Sequence, residues 1–88
     1  MAKAETGERL LNTDQKIITS ASQTTLYVDY SVKEEILEVA YRPDKIYHYF
    51  NVKRKVWQDY KNTVEAGESS GQFVNFRIKP FYKFDRIV

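Results

Sequence analysis

The sequence predicts a small α+β domain: a mostly antiparallel sheet with two short helices packed on one face, in the order β-β-β-α-α-β. Three observations carry this. From Thr24 onward come three strand-like runs, two of them alternating and the third, Ile46 to Val52, rich in aromatics. An apolar stripe at helical spacing then runs through Val56, Trp57, Tyr60 and Val64. The last residues, Phe81 to Val88, return to alternation and are expected to rejoin the sheet.

Each element follows from its local chemistry. Residues 1–23 are polar, with Gly7, Asn12, Ser20 and Ser22 and only Leu10-Leu11 and Ile17-Ile18 as apolar content. They predict a flexible N-terminal arm, with a turn of helix near Glu8 to Leu11. The domain proper spans 24–88. Leu26, Val28 and Tyr30 share one face of the first strand, and Leu37, Val39 and Tyr41 share one face of the second. Arg42-Pro43-Asp44-Lys45 is a turn, and Ile46 to Val52 is a third, aromatic strand. Asn51 is placed to cap the first helix, and Ala66-Gly67 ends it. Ser69 and Gln72 have the spacing of a capping box for the second helix. That helix carries Phe73, Val74, Phe76 and Ile78, and Pro80 stops it.

Composition narrows the function. At 88 residues the chain makes one domain and buries only about 60% of the surface it exposes unfolded. It has no cysteine, so neither disulfides nor thiolate metal sites can staple it. Its single histidine cannot form a zinc site, and no cofactor is expected. The 15% aromatic share supplies bulk for the core, and a homo-oligomer would supply more. There is no apolar leader or membrane-length run. A cytoplasmic protein without a membrane partner is therefore expected.

Charge is unevenly spread. Residues 1–39 hold four basic and seven acidic side chains, net −3, whereas residues 40–88 hold ten and five, net +5. An anionic partner would use the second half.

The candidate site residues follow from this bias. In a strand, Tyr47 and Tyr49 point to one face and His48 to the other. On an open sheet the two tyrosines would stack bases; otherwise they are core. Lys53, Arg54 and Lys55 occupy the first helix start, where positive charge opposes the helix dipole and unpaired amides attract anions. Arg77 and Lys79 follow, with Lys83 and Arg86 beyond them. Ser70, Gly71 and Asn75 at the second helix start offer hydroxyl, bare backbone and amide, for a ligand or for docking the helix on the sheet. Catalysis has little support. Nothing in the spacing assembles a nucleophile with His48 and a carboxylate, and no phosphate loop is present. The chain reads as a non-enzyme.

The span from about Gln23 to Val88 resembles the KTSC domain, a module named for its place at the C-terminus of some lysyl-tRNA synthetases and also found alone. The resemblance runs through Val28-Asp29-Tyr30, Ile36-Leu37-Glu38-Val39-Ala40-Tyr41, the Tyr47-His48-Tyr49 core, and Phe50-Asn51-Val52. It continues through Val56, Trp57, Ser70-Gly71-Gln72-Phe73-Val74-Asn75, Ile78 and Tyr82. Lys53 stands where the family usually has proline, which leaves the helix start less rigid. The family has no established activity. RNA binding has been suggested for it from context, so the resemblance implies RNA as a first candidate partner.

The expected function is therefore a non-catalytic binding module for RNA or single-stranded nucleic acid. Lys53, Arg54, Lys55, Arg77 and Lys79 would hold phosphate, and Tyr47 and Tyr49 would stack. Two alternatives stand beside it: a small nucleotide binder, and a protein-interaction adaptor using tyrosines and Trp57. A stand-alone chain this small also suits a phage or accessory protein.

Overall fold

The alternating runs become a five-stranded antiparallel sheet. The structure, a computed structural model, describes residues 10–19 and 21–88. Its strands are β1 (Ile17–Ile18), β2 (Thr25–Ser31), β3 (Ile36–Tyr41), β4 (Lys45–Tyr49) and β5 (Phe84–Arg86), ordered β1-β2-β3-β4-β5 across the sheet. Between β4 and β5 come helix α1 (Arg54–Glu65) and α2 (Ser70–Phe73), which widens into a π-helical turn over Val74–Ile78. The order is thus β-β-β-β-α-α-β, the expected architecture with one strand added at its start.

That strand corrects the reading of residues 1–23 as an arm where it falls on 10–19. Ile17 and Ile18 pair with Val28 and Tyr27. The Leu11 N–H donates to Glu38 and the Thr13 N–H to Asp29. Leu10 and Leu11 are not helical; the rest of the turn expected near Glu8, with residues 1–9 and Ser20, lies outside the described residues.

Register assigns the two faces. Val28, Val39, Tyr47 and Arg86 form one cross-strand row, and Tyr30, Leu37, Tyr49 and Phe84 the next. Both rows point toward the helices. There Val28, Tyr30, Leu37, Val39 and Tyr49 bury against Val52, Trp57, Tyr60, Phe73, Val74 and Ile78. Trp57 stacks on Tyr30 at 5.3 Å and Tyr60 on Phe73 at 4.5 Å, offset arrangements that add to simple area burial. Leu26, expected beside Val28 and Tyr30, is only half-buried, because the β2–β3 register shifts between Thr25 and Tyr27.

Boundaries moved for backbone reasons. The third expected strand stops at Tyr49, not Val52, because Asn51 takes φ 60° and leaves the ladder. The same conformation removes Asn51 as a helix cap. Lys53 is the N-cap, and no side chain caps there. The second cap is real: Ser69 Oγ accepts the Gln72 N–H at 3.1 Å. Gly67, at φ 81°, closes α1 in a conformation that favours glycine.

Candidate aromatic and basic binding site

One end of the helix-facing sheet surface is left uncovered. There Tyr41, Lys45, Tyr47, Tyr49, Lys79 and Phe84 line a cleft of about 400 Å³. The register builds it: Tyr41 is opposite Lys45, and Tyr49 opposite Phe84. The π-helical turn supplies the remaining wall. Val74 and Ile78 are buried in the core, so the chain leaves the turn at Lys79 and directs its Nζ over the Tyr41 ring, 5.3 Å from the centroid.

The aromatic wall is continuous. Tyr47 meets Tyr41 edge-on at 5.4 Å and stacks with Tyr49 at 6.4 Å. Phe84 leans on both Tyr47 and Tyr49 and is 55% exposed. At the floor, the Tyr41 and Tyr49 hydroxyls bond each other at 2.8 Å. Burial, reinforced by that bond, pushes the Tyr41 hydroxyl well above its ordinary range; burial likewise raises Tyr49. Both phenols stay neutral. The cleft therefore offers aromatic rings set at angles to one another, neutral hydroxyls and two ammonium groups. That chemistry suits a planar ring carrying negative charge.

The structure gathers Tyr47, Tyr49 and Lys79 of the residues singled out from sequence and adds Tyr41, Lys45 and Phe84. Tyr49 loses its stacking role, because it is 1% exposed and belongs to the core. Tyr47 is half-buried and keeps a usable edge. Two of the three missed residues carried a signal: Tyr41 follows Leu37 and Val39 on their face, and the tail alternation put Phe84 with Tyr82 and Arg86. Only the pairing of separate strands shows that these faces coincide.

The other cations do not join this cleft. Lys53 pairs with Glu35 at 3.0 Å, where β2 turns into β3, and Arg54 and Lys55 begin α1 beside it. Tyr41 and Lys45 sit at the opposite end of the sheet. Arg77 is drawn onto α1, 3.2 Å from Asp59 and over the Phe73 ring. A single basic groove does not form, because Lys53 is held at Glu35 and Arg77 at Asp59.

Ser70 and Gly71 serve packing. Ser70 is buried and lies within 2.6 Å of the Tyr60 hydroxyl, while Thr25 Oγ1 donates to it and also meets Thr19. A Cβ on Gly71 would stand 2.7 Å from Thr24 Oγ1. Asn75 is exposed. The cleft beside them, about 510 Å³, is lined by Thr19, Ser22, Glu68 and Ser69 among others and carries no basic side chain, so it does not suit an anion.

His48 faces away from the aromatic cleft, in a buried polar row with Asp29 and Glu38. Glu38 accepts from His48 Nε2 and the Leu11 N–H on one oxygen and from the Tyr27 hydroxyl on the other. Burial would raise its carboxyl; the bonds from His48, Leu11 and Tyr27 outweigh this and hold it below the usual range. Among the described residues no group of acidic, histidine or cysteine side chains is placed to hold a metal ion. No described helix is long and apolar enough to cross a membrane.

Comparison with known proteins adds the family. The KTSC domain model matches residues 21–82. The crystal structure of a KTSC domain protein from Yersinia pestis superposes with a TM-score of 0.67 at 25% identity, covering 76% of this chain and 89% of that one. Among curated proteins no relative matches. β1 and β5, the two edges of the sheet, both fall outside the matched residues.

Proposed function

The chain belongs to the KTSC domain family, and from that premise we propose that it is a non-catalytic binding module for single-stranded nucleic acid, RNA first, engaging one base at a time. What supports the reading is the cleft in which Tyr47 and Phe84 face solvent between Lys45 and Lys79. A base stacks on one of the two rings, Phe84 or Tyr47, whose planes lie 45° apart, and its flanking phosphates meet the two ammonium groups. Base–aromatic stacking contributes about 1–3 kcal/mol per base and tolerates any base. The lysines act as point charges, so they confer affinity and little sequence preference.

The small size of the cleft favours a second reading, a mononucleotide binder. Titration of a labelled single-stranded RNA at two salt concentrations tests the first. With two lysines on phosphate, log affinity falls against log salt with a slope of roughly −1.4. Affinity indifferent to salt removes the phosphate contact. Displacement of the RNA by a mononucleotide at stoichiometric concentration transfers the assignment to the second reading.

A further inference from the structure

The sheet ends at β5, and among the described residues no strand lies beyond it. Its main chain has two sides. The Phe50 N–H donates to Lys83, the Ile87 N–H donates to Ile46, and Asp85 pairs with His48. Residues 83, 85 and 87 therefore turn their backbone groups inward to β4. Phe84 and Arg86 turn theirs outward. All three residues of β5 are exposed, as is Lys83 before them. An open edge with an apolar residue at its centre is a template for another strand.

The side chains specify which strand fits. Around Phe84 the sequence reads Tyr82-Lys83-Phe84-Asp85-Arg86, with opposite charges one residue to each side. Laid antiparallel against itself about Phe84, this segment sets Phe84 opposite Phe84 in a hydrogen-bonded pair. Lys83 of each copy then lies opposite Asp85 of the other, and Arg86 opposite Tyr82. Asp85 has a contact within its own chain and retains further lone pairs for the ammonium. The neighbouring register, centred on Asp85, sets two carboxylates face to face and is disfavoured. A centre at Arg86 opposes two guanidinium groups.

We infer that β5 pairs with β5 of a second copy about a two-fold axis through Phe84, making one continuous sheet from two chains. The outward N–H and C=O of Phe84 exchange bonds with their symmetry mates, and the Arg86 N–H reaches the Tyr82 carbonyl. The Tyr82 N–H is already bonded to Ile78, so the ladder ends there. This is an isologous contact and closes at two. It also sets the two aromatic clefts side by side, since Phe84 walls each one.

Sedimentation equilibrium of the full chain, without nucleic acid, tests the contact over micromolar to millimolar concentration. The wild-type chain forms dimers. Lys83→Asp and Asp85→Lys each create two like-charged pairs across the axis and raise the dissociation constant by roughly tenfold or more. The double variant Lys83→Asp with Asp85→Lys restores the opposite charges and regains the dimer. Circular dichroism and Trp57 fluorescence confirm that each variant is folded. A wild-type chain that stays monomeric at millimolar concentration overturns the inference. So does a single variant that dimerises as the wild type does, or a folded double variant no better than the singles. The readout is mass, so its failure is separate from failure to bind RNA.

Discussion

Glu38 and His48 meet at 2.8 Å across neighbouring strands on the sheet face turned away from the helices, with Glu38 fully buried and His48 3% exposed. The carboxylate can only accept, so His48 Nε2 carries the shared proton. Every bond to Glu38 is made by a different part of the chain: β2 through Tyr27, β4 through His48, and residue 11 through its N–H. The pair ties the N-terminal segment to the sheet.

Removing that carboxylate leaves three donors unsatisfied. Glu38→Ala is expected to cost about 1–3 kcal/mol for each buried donor left unpaired, more in total than Glu38→Gln. Glu38→Gln keeps the shape and one acceptor oxygen and costs about 1–3 kcal/mol. Urea unfolding monitored by Trp57 fluorescence measures both. Equal stability of Glu38→Ala and the wild-type chain contradicts the tie.

The same residue sets an acid limit. Its folded pKa is depressed, so its contribution is complete above the ordinary value near 4.5 and is lost as pH falls through the lower folded value. The urea midpoint of the wild-type chain is expected to drop over that acid window. The gap between wild type and Glu38→Gln closes there too, because the glutamine does not titrate. A gap that stays constant down to the lowest folded pH assigns the stabilisation elsewhere.

Packing at the second helix start predicts an effect on stability without one on binding. Gly71→Ala drives a methyl to within 2.8 Å of Thr24 Cβ and 2.7 Å of its Oγ1. A loss of about 1–3 kcal/mol follows. Thr24→Ala relieves it only in part, since Cβ remains. Ser70→Ala removes one partner each from the buried hydroxyls of Tyr60 and Thr25, which keep the residue-70 carbonyl and Thr19, and costs about 0.5–1.5 kcal/mol per lost bond. Thermal melts read both changes, and RNA affinity of the folded fraction is unchanged. A variant that melts normally and binds weakly would instead return these residues to the ligand site.

Within the cleft, Tyr47→Ala is expected to weaken RNA binding by about 1–3 kcal/mol, while Tyr47→Phe keeps the ring and the affinity. Lys45→Ala and Lys79→Ala each reduce the salt slope by about 0.7. Arg77→Ala changes neither, because Asp59 and Phe73 hold that guanidinium elsewhere. Fluorescence anisotropy against salt separates the cases. An Arg77→Ala variant that loses as much slope as Lys79→Ala would show phosphate tracking across both helices.

Much of the fold was legible from single residues. Alternation in Leu37, Val39 and Tyr41 gave β3, the stripe through Trp57 and Tyr60 gave α1, and Ser69 marked the next helix start. Two signals failed locally. Ile17-Ile18 is too short a run to read as a strand, and it forms one only because β2 offers an edge. Asn51 has cap chemistry but takes a left-handed conformation, and the Val52 N–H bonds to Glu35 instead.

By itself the sequence determined the α+β class, which residues share a side in β3 and β4, the helix stripe and the basic bias of its second half. Those properties depend on spacings of two to four residues, which the local chain geometry converts directly into direction. Tertiary structure decided that Lys79 reaches Tyr41 while Lys53 and Arg77 go to Glu35 and Asp59, and that Glu38 is sealed beneath residue 11. Such meetings depend on sheet register and helix docking. Contacts between residues far apart in the chain set both, and no short spacing encodes them.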